Sequence, residues 1–308
     1  MGLGTIIVEN ELLRVVIIPE LGGKIYDIVF KPLWKNILWH NPRISPRKVP
    51  FGVAFDDVWS GGWDEIFPND AASVLNGEKY PDMGEIWSIP WDYSITNDKP
   101  KKSITVTISA FSPISTCKIV RALTLNEYDS RIFLHYSLQN IGQNQMRFLW
   151  KLHPAFAVND SCTIIIDGGK TIVDSRYRQF FEPKSHEYHW PNSTRKGGEP
   201  FDVSKVRSQS DNTCTLHYVT ELKEGSVALR NPREKADVVL KFPKEILNCV
   251  WLFLPYGGYR GIYNAVIEPS TSYPYDLSQA IQEGHYSKLD PNERLDADVE
   301  LILSKNRE

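Results

Sequence analysis

Short apolar or alternating runs, set between polar turns, recur along this chain and limit what it can fold into. They fall at 5–8, 12–18, 103–111, 119–125, 132–138, 162–166, 226–230, 238–242, 250–254, 264–267 and 298–303. Each run is strand-length, and period-two patterning or a continuous β-branched stretch is what a strand in a packed sheet requires. Helical spacing is confined to a short piece at 277–281. A string of strands joined by polar turns predicts packed antiparallel sheets, a large all-β sandwich, and argues against alternating β and α units. No long Pro/Gly/Ser linker divides the sequence, so residues 1–308 are expected to form a single domain. Segment 175–210 is polar and rich in Arg, Lys, His, Pro and Gly. It reads as a long irregular excursion, of the kind that is often functional or mobile.

Composition narrows the class of function. With 42% hydrophobic and 24% charged residues, the chain is expected to bury a substantial core and neither to remain disordered nor to span a membrane. Net charge is -3 and the basic residues are dispersed, so the one-sided positive surface needed for a phosphate backbone is missing and nucleic acid is not an expected partner. Cys117, Cys162, Cys214 and Cys249 lie far apart with no CxxC pair, and the N-terminus lacks a charged segment followed by an apolar core. A cytoplasmic protein with free thiols is expected, Cys162 and Cys249 acting as small buried hydrophobes. No metal site is supported. Gly22-Gly23 and Gly257-Gly258 have no phosphate-binding spacing and are explained by turns.

Two titratable groups stand in apolar surroundings: His153 in Trp150-Lys151-Leu152-His153-Pro154-Ala155-Phe156, and Glu268 in Ala265-Val266-Ile267-Glu268-Pro269-Ser270-Thr271. Desolvation raises a carboxylate's pKa and an imidazole starts near about 6.5, so such a pair is suited to proton transfer around neutrality. The same residues also fit a satisfied core histidine and a glutamate partnered by an arginine. The aromatic residues add a second indication. Nine Trp and fourteen Tyr are many, and Trp59, Trp63, Trp87 and Trp91 gather where the strand pattern breaks. A flat ring suits the C–H face of a sugar while nearby carboxylates and amides bond its hydroxyls, and the segment Gly61-Gly62-Trp63-Asp64-Glu65-Ile66-Phe67-Pro68-Asn69 has that make-up. Filling a broad sandwich core is the other use for these rings.

The order of Asn10-Glu11-Leu12, Pro19-Glu20-Leu21-Gly22-Gly23-Lys24-Ile25, Gly62-Trp63-Asp64-Glu65-Ile66-Phe67-Pro68, Gly84-Glu85-Ile86-Trp87, Leu152-His153-Pro154 and Ile267-Glu268-Pro269-Ser270-Thr271 resembles the galactose mutarotase-like family, the aldose 1-epimerases and their relatives. The resemblance spans nearly the whole chain. It implies a β-supersandwich with an open sugar cleft and a small-molecule sugar as partner, with no cofactor. It also implies that Glu268 abstracts the anomeric hydroxyl proton and His153 protonates the ring oxygen, so that ring opening and re-closure exchange the anomers. Asp64, Glu65, Glu85 and Trp87 are the sugar-binding candidates, Trp87 as a stacking platform. The sequence departs from the family at Pro81-Asp82-Met83-Gly84, where Met83 stands at the position of a cleft histidine. A thioether protonates nothing and accepts hydrogen bonds poorly. His40, His189 and His285 are the possible substitutes for it. Two rival readings follow: a sugar-binding or sensing protein without catalysis, and a glycosidase or lyase relative in which Glu268 works with Asp64 or Glu65. A phosphosugar epimerase, a variant of the first reading, would draw on Arg176 and Arg178 or Arg195 and Lys196.

Overall fold

Alternating burial in one set of strands and full burial in another sets the layering. The computed structural model describes residues 2–75 and 77–305. An eight-stranded antiparallel sheet runs Thr163–Ile166, Ser226–Asn231, Ala236–Lys241, Arg294–Lys305, Arg131–Asn140, Cys117–Asn126, Ser103–Phe111, Asp92–Asp98. Its inner strands bury every second side chain, as along Cys117–Asn126, so one face packs and the other meets solvent, while the edge strand Asp92–Asp98 is exposed.

The larger, eleven-stranded sheet has at its centre Trp63–Ile66, Lys151–Phe156, Ala265–Ser270, Cys249–Tyr256 and Thr213–Val219, in that order. Trp63–Ile66, Lys151–Phe156 and Ala265–Ser270 are buried at every position. The two faces are buried by different things. Trp63, Leu152, Ile267 and Leu252 join Ile119, Leu134, Tyr136 and Val299 of the smaller sheet in one core. The opposite face, with Ile66, Ala155 and Val266, is roofed by Phe55, Trp59 and Trp87 from the loops. A sheet covered on both sides reads as a near-continuous buried run, and here the second cover is what creates a site.

The observed strands coincide with the expected runs to within a few residues, and the short helix is Leu277–Glu283. Asp276 caps the helix by accepting the Gln279 N–H at 3.0 Å, and Gly284 ends it at φ 78°. The antiparallel β-sandwich is therefore the architecture. Strands that the apolar pattern did not mark include Lys24–Phe30, Trp63–Ile66, Asp92–Asp98, Lys151–Phe156 and Thr213–Val219. Nor is segment 175–210 structureless: it holds 3-10 turns at Ser175–Phe180 and Pro183–Ser185 and a small hairpin of Asn192–Thr194 with Pro200–Asp202. All four cysteines are free and buried. Among the described residues no helix is long and apolar enough to cross a membrane.

Candidate functional site

Strand register brings the two expected titratable groups together. Lys151 pairs with Ser270 and Ala155 with Val266, so between these pairs His153 falls opposite Glu268. Both residues stand where proline removes a backbone donor, Pro154 on one strand and Pro269 on the other, and the ladder is interrupted between the flanking pairs. Period-two alternation puts Lys151 and His153 on one face of their strand, and pairing sets Asp64 beside His153 and Trp251 beside Glu268. His153 and Glu268 line one pocket of about 130 Å³ with Lys151, Trp251, Phe55, Trp59, Met83, Arg176 and Tyr177. At a share of about 30 Å³ per water that space takes roughly four waters, so a monosaccharide would enter it with part of its ring and leave the rest at the mouth.

The electrostatics centre on a buried ammonium. Lys151 Nζ lies 2.5 Å from Glu268 Oε2, contacts Asp70, and sits 4.2 Å from the centroid of the Trp251 ring. Burial alone would lower the Lys151 pKa, but the two carboxylates outweigh it and hold it above the ordinary value. Burial pushes Glu268 up to about 7 against the pull of Lys151, with Asp70 adding to the rise. His153 goes the other way: burial, then the positive charges of Lys151 and Lys24, take its pKa well below 6.5. Its ring is flanked edge-on by Phe55 and Trp59, each with centroids 5.5 Å away, and its Nδ1 has no hydrogen-bond partner. His153 is thus a neutral imidazole at neutral pH, which corrects the expectation that burial leaves it titrating there.

The other candidates are not all in the pocket. Asp64 lies on the pocket-facing side but is held by Lys24 Nζ at 2.6 Å and by the Trp59 indole N–H at 3.2 Å, beneath the lining. Glu65 is on the opposite face, between the sheets, where Arg121 Nη1 at 2.9 Å and the Tyr136 hydroxyl at 2.8 Å bind it. Glu85 is buried behind the site, accepting the backbone N–H groups of Ile114 and Ser115. Adjacent residues on a strand face opposite ways, so of Asp64 and Glu65 only one was able to point at the cleft. Neither is free to pair with Glu268 across a glycosidic bond. Trp87 packs edge-on behind Phe55 at 4.9 Å and is absent from the lining, and Trp63 and Trp91 fill the inter-sheet core, so the tryptophans at the pocket are Trp59 and Trp251.

Met83 does line the pocket, at φ 58°, its N–H donating to the Asp70 carbonyl at 2.6 Å. The following Gly84, at φ 75°, abuts Phe67, whose carbonyl oxygen would lie 2.1 Å from any added Cβ. That close approach requires glycine and fixes Met83 over the site. No substitute histidine reaches it. His40 stacks on Tyr26 at 3.9 Å, His285 stacks on Tyr273 at 4.3 Å, and His189 is exposed. Lys151, Asp70 and Trp251 escaped notice because a lone lysine, aspartate or tryptophan has no spacing signal. Arg176 and Tyr177 come from the first turn of the 175–210 excursion, whose length alone hinted at use. Among the described residues, no group of three or more His, Cys, Asp or Glu is arranged to hold a metal ion.

No family model matches the chain, and no curated protein matches it. Solved structures do. A galactose mutarotase-like protein from Clostridium acetobutylicum superposes with TM-score 0.67 at 15% identity, covering 99% of this chain and 96% of that one. A galactose mutarotase related enzyme from Lactobacillus acidophilus gives 0.65 at 14% identity, covering 99% of each. The Slr1438 protein of Synechocystis gives 0.69 at 15% identity, covering 99% and 97%. Identities this low speak to architecture, and coverage this complete means that the whole chain shares it: the protein has the galactose mutarotase-like fold.

Proposed function

We propose that this protein binds a free monosaccharide in the pocket over Lys151–Phe156 and Ala265–Ser270 and accelerates exchange of its anomers. The observation that carries the reading is that Glu268 and His153 face each other across paired strands and line one pocket. Opening a cyclic hemiacetal takes a proton from O1 and delivers one to O5, so a base and a donor are both needed. Glu268, at about 7, is poised to be the base near neutral pH. His153, neutral, holds the ring oxygen by a hydrogen bond and does not supply the proton. Lys151 supplies it: when Glu268 takes up a proton, Lys151 loses one of the two negative charges that hold its own proton in place. The step then balances, with one proton gained by Glu268 and one lost by Lys151 until solvent or the reverse transfer resets them.

The test is equilibration of freshly dissolved α-anomers across hexoses and pentoses, followed by NMR. Glu268→Gln is expected to lower the catalysed rate by about a hundred- to ten-thousand-fold and His153→Ala by about a hundredfold, both with native circular dichroism. Rates equal to the parent's in both variants would remove the mechanism. A second reading, a sugar-binding protein without turnover, is favoured by the uncharged His153 and by Met83 in the lining. Saturable sugar binding with exchange at the background rate would establish it.

A further inference from the structure

The charge balance of the pocket bears on which sugar enters, an inference that rests on the reading of this pocket as a sugar site. Its wall carries four carboxylates, Asp56, Asp70, Asp82 and Glu268, against two cations, Lys151 and Arg176. Both cations are already matched. Lys151 lies between Asp70 and Glu268, and Arg176 Nε donates to Asp174 Oδ1 at 2.8 Å while its guanidinium lies 3.5 Å from the Tyr275 ring centroid. Among the described residues Asp56 and Asp82 form no ion pair: the Tyr259 hydroxyl donates to Asp56 and the Phe55 N–H donates to Asp82 at 3.1 Å, while Arg260 and Lys151 act on them only from farther off. Behind the wall Lys24 is engaged with Asp64, and at the rim Arg260 pairs with Asp57 at 2.7 Å and bonds the Asp56 carbonyl.

One further atom points to a ligand here. His153 is 4% exposed and lines the pocket, and its Nδ1 has no hydrogen-bond partner among the described residues, whereas Glu268 Oε2 is held by Lys151 Nζ. A buried polar atom left unpaired is costly unless something bonds it. We propose that the pocket takes an aminodeoxy sugar, its ammonium set against Asp56 and Asp82, in preference to the neutral parent sugar, and rejects the sugar phosphate. An ammonium there gains Coulomb energy from two half-buried carboxylates that form no ion pair among the described residues. A phosphate meets the same field with the opposite sign and finds no unengaged guanidinium or ammonium in the described lining.

The experiment is calorimetric titration of the full chain at neutral pH and low salt with 6-amino-6-deoxyglucose, glucose and glucose 6-phosphate. The amine is expected to bind about tenfold more tightly than glucose, and the phosphate about tenfold more weakly. Asp56→Asn and Asp82→Asn keep an acceptor for Tyr259 and Phe55 and are each expected to bring the amine-to-glucose ratio toward one. Added salt is expected to do the same. An amine that binds no better than glucose, a phosphate that binds best, or no binding by any of the three overturns the proposal. If the affinity order holds while anomer exchange stays at background, the epimerase reading falls and this one stands. If exchange is accelerated but the order fails, this one falls alone.

Discussion

Glu268 and His153 carry similar local sequence, each an ionisable side chain in an apolar strand before a proline, yet the same burial drives them apart. Desolvation disfavours whichever form is charged, so it raises a carboxylate and lowers an imidazole, and Lys151 between them deepens the fall of His153 while restraining the rise of Glu268. The assignment of base and donor can therefore be read from a pH profile. With Glu268 as base and Lys151 as proton source, kcat/KM is expected to climb with pH through about 7, as the carboxylate ionises, and then to level. With protonated His153 as the acid, the active form would need the lower-pKa group protonated and the higher-pKa group ionised, and the profile would instead fall above about 7. Anomer exchange measured from mildly acidic to mildly basic pH decides between them, and a descending limb at neutral pH would return proton donation to His153.

Two of the strands that build the site, Trp63–Ile66 and Lys151–Phe156, are ones the apolar pattern passed over. Trp63–Ile66 has two acidic residues side by side, and Lys151–Phe156 has a lysine, a histidine and a proline in six positions. Both read as breaks in a run because Asp64, Glu65 and Lys151 have partners supplied from far away in sequence. Glu65 shows this best: it lies between the sheets only because Arg121 and Tyr136 of the smaller sheet meet it there. Burial pushes its pKa up to about 6 even against that arginine. Removing one member of a buried ion pair leaves the other uncompensated, so Arg121→Met is expected to destabilise the protein by about 3–5 kcal/mol. Urea unfolding at neutral pH measures this, and a loss well under about 1 kcal/mol would mean that Glu65 is not held as charged in the folded protein.

At the scale of the molecule, burying acids shapes stability against pH. Glu268 and Glu65 both have folded pKa values raised above 4.5, to about 7 and about 6. The sign follows: their contribution is fully present below about 4.5 and is lost as pH rises through about 6 and 7. For Glu268 alone the loss is on the order of a few kcal/mol. Glu268→Gln carries no such charge, so its stability relative to the parent is expected to improve as pH is taken from about 5 to about 8. Denaturant midpoints at the two pH values test this, and a difference that does not change with pH would mean that Glu268 titrates at its ordinary value. We further propose that residues 1–308 act as one domain, since the core between the sheets draws on strands from Ile6–Glu9 to Arg294–Lys305. A single transition, coincident by fluorescence and circular dichroism, is the expected form of both curves.

The sequence by itself determined the class of architecture, because period-two burial is a local property: Cys117–Asn126 and Arg131–Asn140 announce their inward faces residue by residue. It also singled out Glu268 and His153, since an ionisable group in an apolar run is visible without any partner. The tertiary structure alone decided which polar residues share a space. Pairing of strands more than a hundred residues apart set Glu268 opposite His153, while strand alternation aimed Asp64 at the pocket side and Glu65 into the core. Loops distant in the chain delivered Asp70, Met83 and Arg176 to the same wall. Charges interact through space, so the pKa values and the sign of the pocket became legible only when those neighbours were in place.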